Sequence, residues 1–162
     1  GLNDSFSWFD AFVGNIPGSV GETSVIAILI GLAILLLTKV ASYRIILGTL
    51  FGMIMMSSIL NIVGSDSNPM FYVPWYWHAV IGSFAFGLVF MATEPVSGSG
   101  TNAGRWIYGF TIGVLVILIR VINPAFPEGM MLAILFANLL APVIDHMVVM
   151  NNIRKRNALL NE

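Results

Sequence analysis

Five apolar segments constrain the fold of this chain more than any other feature. They cover roughly residues 24–42, 44–63, 77–92, 106–121 and 130–149, and each is long enough to cross a bilayer or nearly so. The chain is 57% hydrophobic and only 9% charged, so it has too few charged groups to cover a water-facing surface. The segments therefore predict an all-α integral membrane protein with about five transmembrane helices, forming a five-helix half-domain over residues 24–150.

Composition excludes several classes of function. The formal net charge of -1 excludes a protein that binds nucleic acid through a basic surface, because nothing would neutralise the phosphates. The absence of cysteine excludes disulfides, thiolate-bound iron–sulfur clusters and cysteine nucleophiles. The two histidines, His78 and His146, are too far apart in the sequence for a metal-site motif. We therefore expect neither a catalytic residue nor a metal ligand set in this chain.

The basic residues predict the orientation in the membrane. If the five segments alternate sides, six of the seven basic residues fall on one side, and only Arg120 falls on the other. The positive-inside rule makes the first side cytoplasmic. Residues 151–162 then form a basic cytoplasmic tail, and residues 1–23 an outer-side loop. We expect Arg120 to neutralise an acid on the outer side or to bind lipid headgroups.

Two acids lie against apolar segments on the predicted cytoplasmic side. Glu94 begins a polar stretch between the third and fourth segments, and Asp145 lies near the end of the fifth. Charged groups at membrane depth are costly and often functional, so this pair is a candidate site for Na+ or for a proton. The structural alternatives are that Glu94 ends a helix at the interface and that Asp145 pairs with His146 or the basic tail.

Three local patterns complete the expectations. The glycine-rich loop before the first segment either holds a polar ligand on its N–H groups or is a plain turn capped by Thr23 or Ser24. Asn138 and Pro142 either interrupt the fifth segment or kink it. Two G-x-x-x-G spacings, at Gly48 and Gly109, favour close helix packing.

Several stretches together resemble one known family. They are GNIPGSVGETS, GSDSNPMFYVPWYWH, MATEPVS with TNAGRWIYG, and IRVINPAFPEGMMLAILFANLLAPVIDH. In order and over nearly the whole chain they are similar to the C-terminal half of the flavin-carrying membrane subunit of the bacterial sodium-translocating NADH:quinone oxidoreductases (NQR). The corresponding membrane subunit of the Rnf complex is related.

The resemblance implies a fold and an activity. The fold would be one half of a ten-helix fold of the urea-transporter type, in the bacterial inner membrane. The chain would belong to a translocase that passes electrons from NADH through flavins to ubiquinone and exports Na+. Its cofactors would be riboflavin and an FMN esterified to a threonine upstream of this chain. Its partners would be the other subunits, the missing N-terminal half, ubiquinone and the lipid bilayer.

The resemblance also implies roles for named residues. The acidic positions implicated in Na+ uptake fall on Glu94, where the family pattern has Asp, and on Asp145. The glycine-rich loop follows the flavinylated segment, so we expect it to lie near the covalent flavin, through Asn15, Gly18, Ser19, Gly21, Glu22 and Thr23. The alternatives are half of a passive channel or secondary transporter without a redox role, and a purely structural membrane subunit.

Overall fold

A computed structural model describes residues 7–18, 21–65, 68–123 and 128–160, and every regular element in these ranges is helical. Among these residues three helices, α3, α6 and α7, are long and apolar enough to cross a membrane, and α2 is shorter. This confirms the prediction of an all-α integral membrane protein. In chain order the helices are α1 Trp8–Val13, α2 Val25–Leu37, α3 Tyr43–Val63, a 3-10 turn Pro69–Tyr72, α4 Trp75–Val80, α5 Phe84–Phe86 with a π-helical turn Gly87–Met91, α6 Asn102–Ile122 and α7 Met130–Leu160.

The two G-x-x-x-G spacings meet at the contact between α3 and α6. A Cβ atom added at Gly52 would collide with the carbonyl oxygen of Phe110, and one added at Gly113 would collide with that of Thr49. The backbones of the two helices therefore touch at these positions, which only glycine allows. The helix α7 packs on the other side of α6, and buried side chains such as Met53, Ile112 and Ala137 fill the core between the three helices.

The remaining apolar surface faces outward. Leu37, Ile62 and Leu139 are 83%, 86% and 75% exposed. Large apolar side chains at this exposure are costly in water and ordinary in lipid or against further membrane helices. The arrangement agrees with a chain that lies within a membrane.

The third apolar segment is not one helix, in contrast to the continuous span expected from hydropathy. The helix α4 ends at Val80, and α5 begins at Phe84. Between them Gly82 and Ser83 adopt left-handed backbone conformations, with φ of 64° and 54°. Two successive left-handed residues cannot continue a right-handed helix. The chain then resumes as a single turn of α-helix followed by a π-helical turn.

Arg120 supplies the hydrogen bonds that the interruption removes. Its Nη1 atom donates to the carbonyl oxygen of His78 at 2.8 Å, and its Nη2 atom donates to those of Ile81 and Gly82 at 2.8 and 2.5 Å. Unpaired carbonyls are costly inside a membrane, so a buried donor is needed at such a break. The side chain is only 2% exposed. The expectation of a headgroup anchor was therefore wrong, and Arg120 is a buried clamp on the backbone of another helix.

Both ends of the chain are more helical than expected. The helix α1 forms within the predicted outer-side loop because Ser7 and Asp10 make a reciprocal capping box. The helix α7 runs through Asn138 and Pro142 without interruption and includes residues of the predicted tail up to Leu160. Of the two alternatives for Asn138 and Pro142, the structure excludes a discontinuous helix. The Asn138 side chain accepts a hydrogen bond from the Tyr108 hydroxyl at 2.5 Å, which joins α7 to α6.

The clamp predicts a large effect of replacing Arg120. Arg120→Met leaves three buried carbonyl oxygens without donors, and each costs about 1–3 kcal/mol. We expect the free energy of unfolding of the full-length protein to fall by about 3 kcal/mol or more. The variant Arg120→Lys keeps the charge but reaches fewer carbonyls, so its free energy of unfolding should lie between those of the wild type and Arg120→Met. Unfolding in mixed micelles of rising SDS fraction measures these differences.

The exposed residue Arg156 on α7 gives the matched control for this experiment. Arg156→Met removes the same charge without touching the break, and its stability should equal that of the wild type. Equal stabilities of Arg120→Met and Arg156→Met would contradict the role given to the clamp.

Candidate functional site

The loop from Glu94 to Thr101 joins the π-helical turn to α6, and both candidate acids form hydrogen bonds with it. The carboxylate of Glu94 folds back onto its own loop. It accepts hydrogen bonds from the backbone N–H of Val96 at 3.0 Å, from that of Ser97 at 2.8 Å and from the Ser97 hydroxyl at 2.6 Å. These donors, the Ser97 hydroxyl first among them, hold the pKa of Glu94 below its ordinary value. The carboxylate is therefore ionised at neutral pH.

Asp145 reaches the same loop from α7. Its Oδ1 atom accepts hydrogen bonds from the hydroxyls of Ser99 and Thr101, both at 2.6 Å, and from the Thr101 backbone N–H at 3.1 Å. Its Oδ2 atom accepts one from the Gly100 backbone N–H at 2.8 Å. Among the described residues its partners are all in this loop, so the pairing with His146 or the basic tail, considered above, does not occur.

Two residues at the start of α6, Thr101 and Gly104, allow Asp145 of α7 to reach the loop. Thr101 is the N-cap of α6, and its hydroxyl accepts from the Gly104 backbone N–H at 3.1 Å while donating to Asp145. A Cβ atom added at Gly104 would lie 2.6 Å from the Asp145 carboxylate. A glycine at position 104 therefore lets α7 approach the first turn of α6.

The structure thus brings both acids to one loop but not into contact with each other. Glu94 holds residues 96 and 97, and Asp145 holds residues 99 to 101. Within the described ranges no hydrogen bond joins the two carboxylates. In the same ranges no group of three or more His, Cys, Asp or Glu side chains could hold a metal ion. Around Asp145, however, three side-chain oxygens converge, from Asp145, Ser99 and Thr101. Sequence reasoning missed the two hydroxyls, since nothing in their spacing points to α7.

The glycine-rich loop lies at the opposite end of the bundle, against the helix break. Gly14 ends α1 with φ of 104°, and Ser24 caps α2 by accepting from the Ala27 backbone N–H. A cavity of about 200 Å³ separates the loop from the break, lined by Ile16, Pro17, Gly18, Glu22, Thr23, Val80, Ile81, Gly82, Ser83 and Glu128. Of the two capping residues considered for α2, Thr23 and Ser24, the structure has Ser24 as the cap. Ser19, one of the predicted flavin-proximal residues, lies outside the described residues.

One known family matches nearly the whole chain. The sequence model of the NQR2, RnfD, RnfE family covers residues 2–154. The chain belongs to this family. The resemblance predicted from the sequence motifs is confirmed.

Individual relatives within the NQR2, RnfD, RnfE family are highly similar. The chain is 63% identical over 157 residues to a subunit of the Na(+)-translocating NADH-quinone reductase of Ectopseudomonas mendocina (strain ymp), and the match covers 97% of this chain and 39% of the relative. It is 64% identical over 152 residues to the corresponding subunit of Azotobacter vinelandii, over 94% of this chain and 38% of the relative. The chain therefore spans about two-fifths of the length of the curated relatives that it matches.

The hydrogen bonds of Glu94 predict how its contribution to stability depends on pH. Because the folded-state pKa lies below the ordinary value of 4.5, the stabilisation is fully present above about pH 4.5. It is lost as the pH falls through the lowered folded-state pKa. We therefore expect the melting temperature of the full-length wild type to exceed that of Glu94→Gln at neutral pH.

The same pair of proteins provides the test, because every other acid titrates equally in both. Melting curves recorded between pH 7 and pH 3 should show a constant difference that shrinks only in the most acidic samples. A difference that persists unchanged to pH 3 would show that the Glu94 carboxylate is not what stabilises the loop.

Proposed function

We propose that this chain is the C-terminal part of the membrane subunit of a redox-driven sodium pump. The pump would pass electrons from NADH through flavins to ubiquinone and export Na+. One observation carries the proposal: 63% identity, over 97% of this chain, to a relative named as part of a Na(+)-translocating NADH-quinone reductase. The three membrane-length helices described above support it, because a sodium pump needs a membrane-embedded part.

The proposal includes a location, an orientation and partners for this subunit. The subunit would lie in the bacterial inner membrane with its C-terminus in the cytoplasm, as the basic residues indicate. Its partners would be the N-terminal half of the same polypeptide, the other subunits of the complex, ubiquinone and lipid. With that other half it would complete a ten-helix fold of the urea-transporter type, in which the exposed apolar face of α7 becomes covered.

Asp145 and Glu94 are the residues that we propose to guide Na+ from the cytoplasm. Hard cations prefer oxygen ligands, and at Asp145 a carboxylate and two hydroxyls already converge. The hydroxyl protons that now point at the carboxylate can rotate away, which frees three oxygens for one cation. Glu94, an ionised carboxylate at the other end of the same loop, raises the local Na+ concentration beside them.

The flavins would supply one-electron and two-electron transfer. Residues outside this chain would make most of the contacts with them. The cavity beside the glycine-rich loop has about 200 Å³, below the roughly 300 Å³ at which small-molecule pockets begin. Glu22 and Glu128 line it and would repel a phosphate. The described residues therefore do not fit a whole FMN, and we propose only that the loop lies beside the flavin that the upstream threonine would carry.

The sodium proposal predicts the kinetics of the whole complex. Glu94→Ala and Asp145→Ala should each raise the Na+ concentration for half-maximal turnover by about tenfold or more, since each removes a charge that attracts or ligates the cation. Asp10→Asn, which removes the charge of a half-buried acid of α1 at the opposite end of the bundle, is the control and should leave this concentration unchanged. Purified wild-type complex should also carry flavin absorbance.

The outcomes separate the alternatives. Unchanged Na+ dependence in both variants would remove Glu94 and Asp145 from the cation pathway while leaving the pump intact. A colourless full-length protein without flavin fluorescence would instead favour a passive channel or secondary transporter of the urea-transporter type.

The position of the glycine-rich loop predicts effects on the flavin. Gly21 has φ of 89°, and a Cβ atom at Gly18 would lie 2.8 Å from the Thr23 side chain, so Gly21→Val and Gly18→Val should both reshape the loop. We expect a shifted flavin spectrum or a reduced flavin content in the purified complex. Gly100→Ala, at the other end of the bundle, should change neither. Unaltered flavin in both loop variants would contradict the proximity.

A further inference from the structure

A cavity of about 480 Å³ lies between the turn that joins α2 to α3 and the loop that begins at Glu94. Its volume is that of a small-molecule pocket. One part of its wall is apolar and the rest polar. The apolar part is made by Leu36, Val40, Ala41 and Ile45, and the polar part includes Lys39, Ser42, Arg44, Thr93, Glu94, Ser99 and Arg105.

The charge of the cavity wall is positive and uncompensated. Lys39, Arg44 and Arg105 face a single carboxylate, that of Glu94, whose oxygens accept from Val96 and Ser97 instead. The Arg44 guanidinium lies 4.7 Å from the centre of the Tyr43 ring, and Arg105 Nε donates to the Ser99 carbonyl oxygen at 3.2 Å. In the part of the chain that the structure describes, none of the three cations forms an ion pair. Three cations around one cavity repel each other unless an anion enters.

A second observation also points to an anionic ligand. The Ser42 hydroxyl, part of the cavity wall, is buried and has no hydrogen-bond partner among the described residues. Buried hydroxyls normally have one, so this hydroxyl lacks an acceptor. Ser42 is also the N-cap of α3 but does not cap it with its side chain, so the positive end of a 21-residue helix opens at the same place. A phosphate oxygen would accept from the hydroxyl and interact with the helix end.

We propose that this cavity binds the phosphate group of an anionic phospholipid. The apolar part of the wall decides for a lipid over free phosphate, because an inorganic ion gains nothing from it. Val40, which lines the cavity, is 55% exposed, and Leu37, which follows the lining residue Leu36 on α2, is 83% exposed. An acyl chain would lie along these side chains. The site lies at the end of the bundle that carries most of the basic residues, where anionic headgroups are attracted.

Binding at this site would also act on the proposed cation entrance, because Glu94 shares the wall. A bound phosphodiester group offsets one of the positive charges, which otherwise repel an approaching Na+ and offset the attraction of the Glu94 carboxylate. This consequence rests on the proposed function, whereas the lipid site itself does not.

Native mass spectrometry of the purified whole complex tests the site. The complex is titrated with phosphatidylglycerol, with zwitterionic phosphatidylcholine and with inorganic phosphate. The wild type should retain phosphatidylglycerol about a hundredfold better than phosphatidylcholine, because each of the three cations contributes about fivefold, and equimolar inorganic phosphate should not displace it. The variant Lys39→Gln/Arg44→Gln/Arg105→Gln should lose about fivefold in affinity for each charge removed.

The control removes three basic charges elsewhere. Arg154→Gln/Lys155→Gln/Arg156→Gln changes exposed side chains at the end of α7 and should retain the lipid as the wild type does. If the triple cavity variant does not assemble, Arg44→Gln alone, with an expected loss of about fivefold, decides.

Three results of the lipid titrations would overturn the proposal. The first is equal retention of the two lipids by the wild type, and the second is an equal loss of lipid affinity in the cavity variant and the control. The third is displacement of the lipid by inorganic phosphate, which would indicate a site for a free anion. Carbodiimide cross-linking of Lys39 to an acid of another polypeptide of the complex would show that protein fills the cavity instead. None of these results depends on Na+ transport, so the sodium-pump proposal stands or fails separately.

Discussion

The need to pair every backbone carbonyl in a membrane explains why Arg120 is buried. The chain interrupts its third apolar segment at residues 81–83, where two left-handed residues stop the helix. In water the freed carbonyls would be hydrated. Here the guanidinium of Arg120 replaces that water, and its planar fork of donors reaches three carbonyls at once. The break in the third apolar segment depends on this one side chain.

A comparable constraint operates at the other end of the bundle. There the loop from Glu94 to Thr101 has no regular structure, and two carboxylates satisfy its N–H groups and hydroxyls from either side. The loop is therefore held by the same groups that we propose to attract Na+. A cation that enters this site competes with hydrogen bonds to the same carboxylates.

The two ends are linked through α6. Its first turn is fixed to α7 by Thr101 and Asp145, and its last turn clamps the helix break through Arg120. Between them, close glycine contacts with α3 leave little room for the helix to tilt. The helix α6 therefore carries contacts at both ends of the bundle.

Composition, hydropathy and motifs determined the fold class, the rough limits of the apolar segments and the family. Local chemistry also narrowed the cap of α2 to Thr23 or Ser24 and predicted the G-x-x-x-G helix contacts, since these depend on neighbours in the sequence. What only the tertiary structure decided are contacts between distant segments. Hydropathy could not show the break near Gly82, because Arg120, whose donors make the break possible, belongs to another helix. Nor could spacing show that Ser99 and Thr101 surround Asp145, because 46 and 44 residues separate them from it.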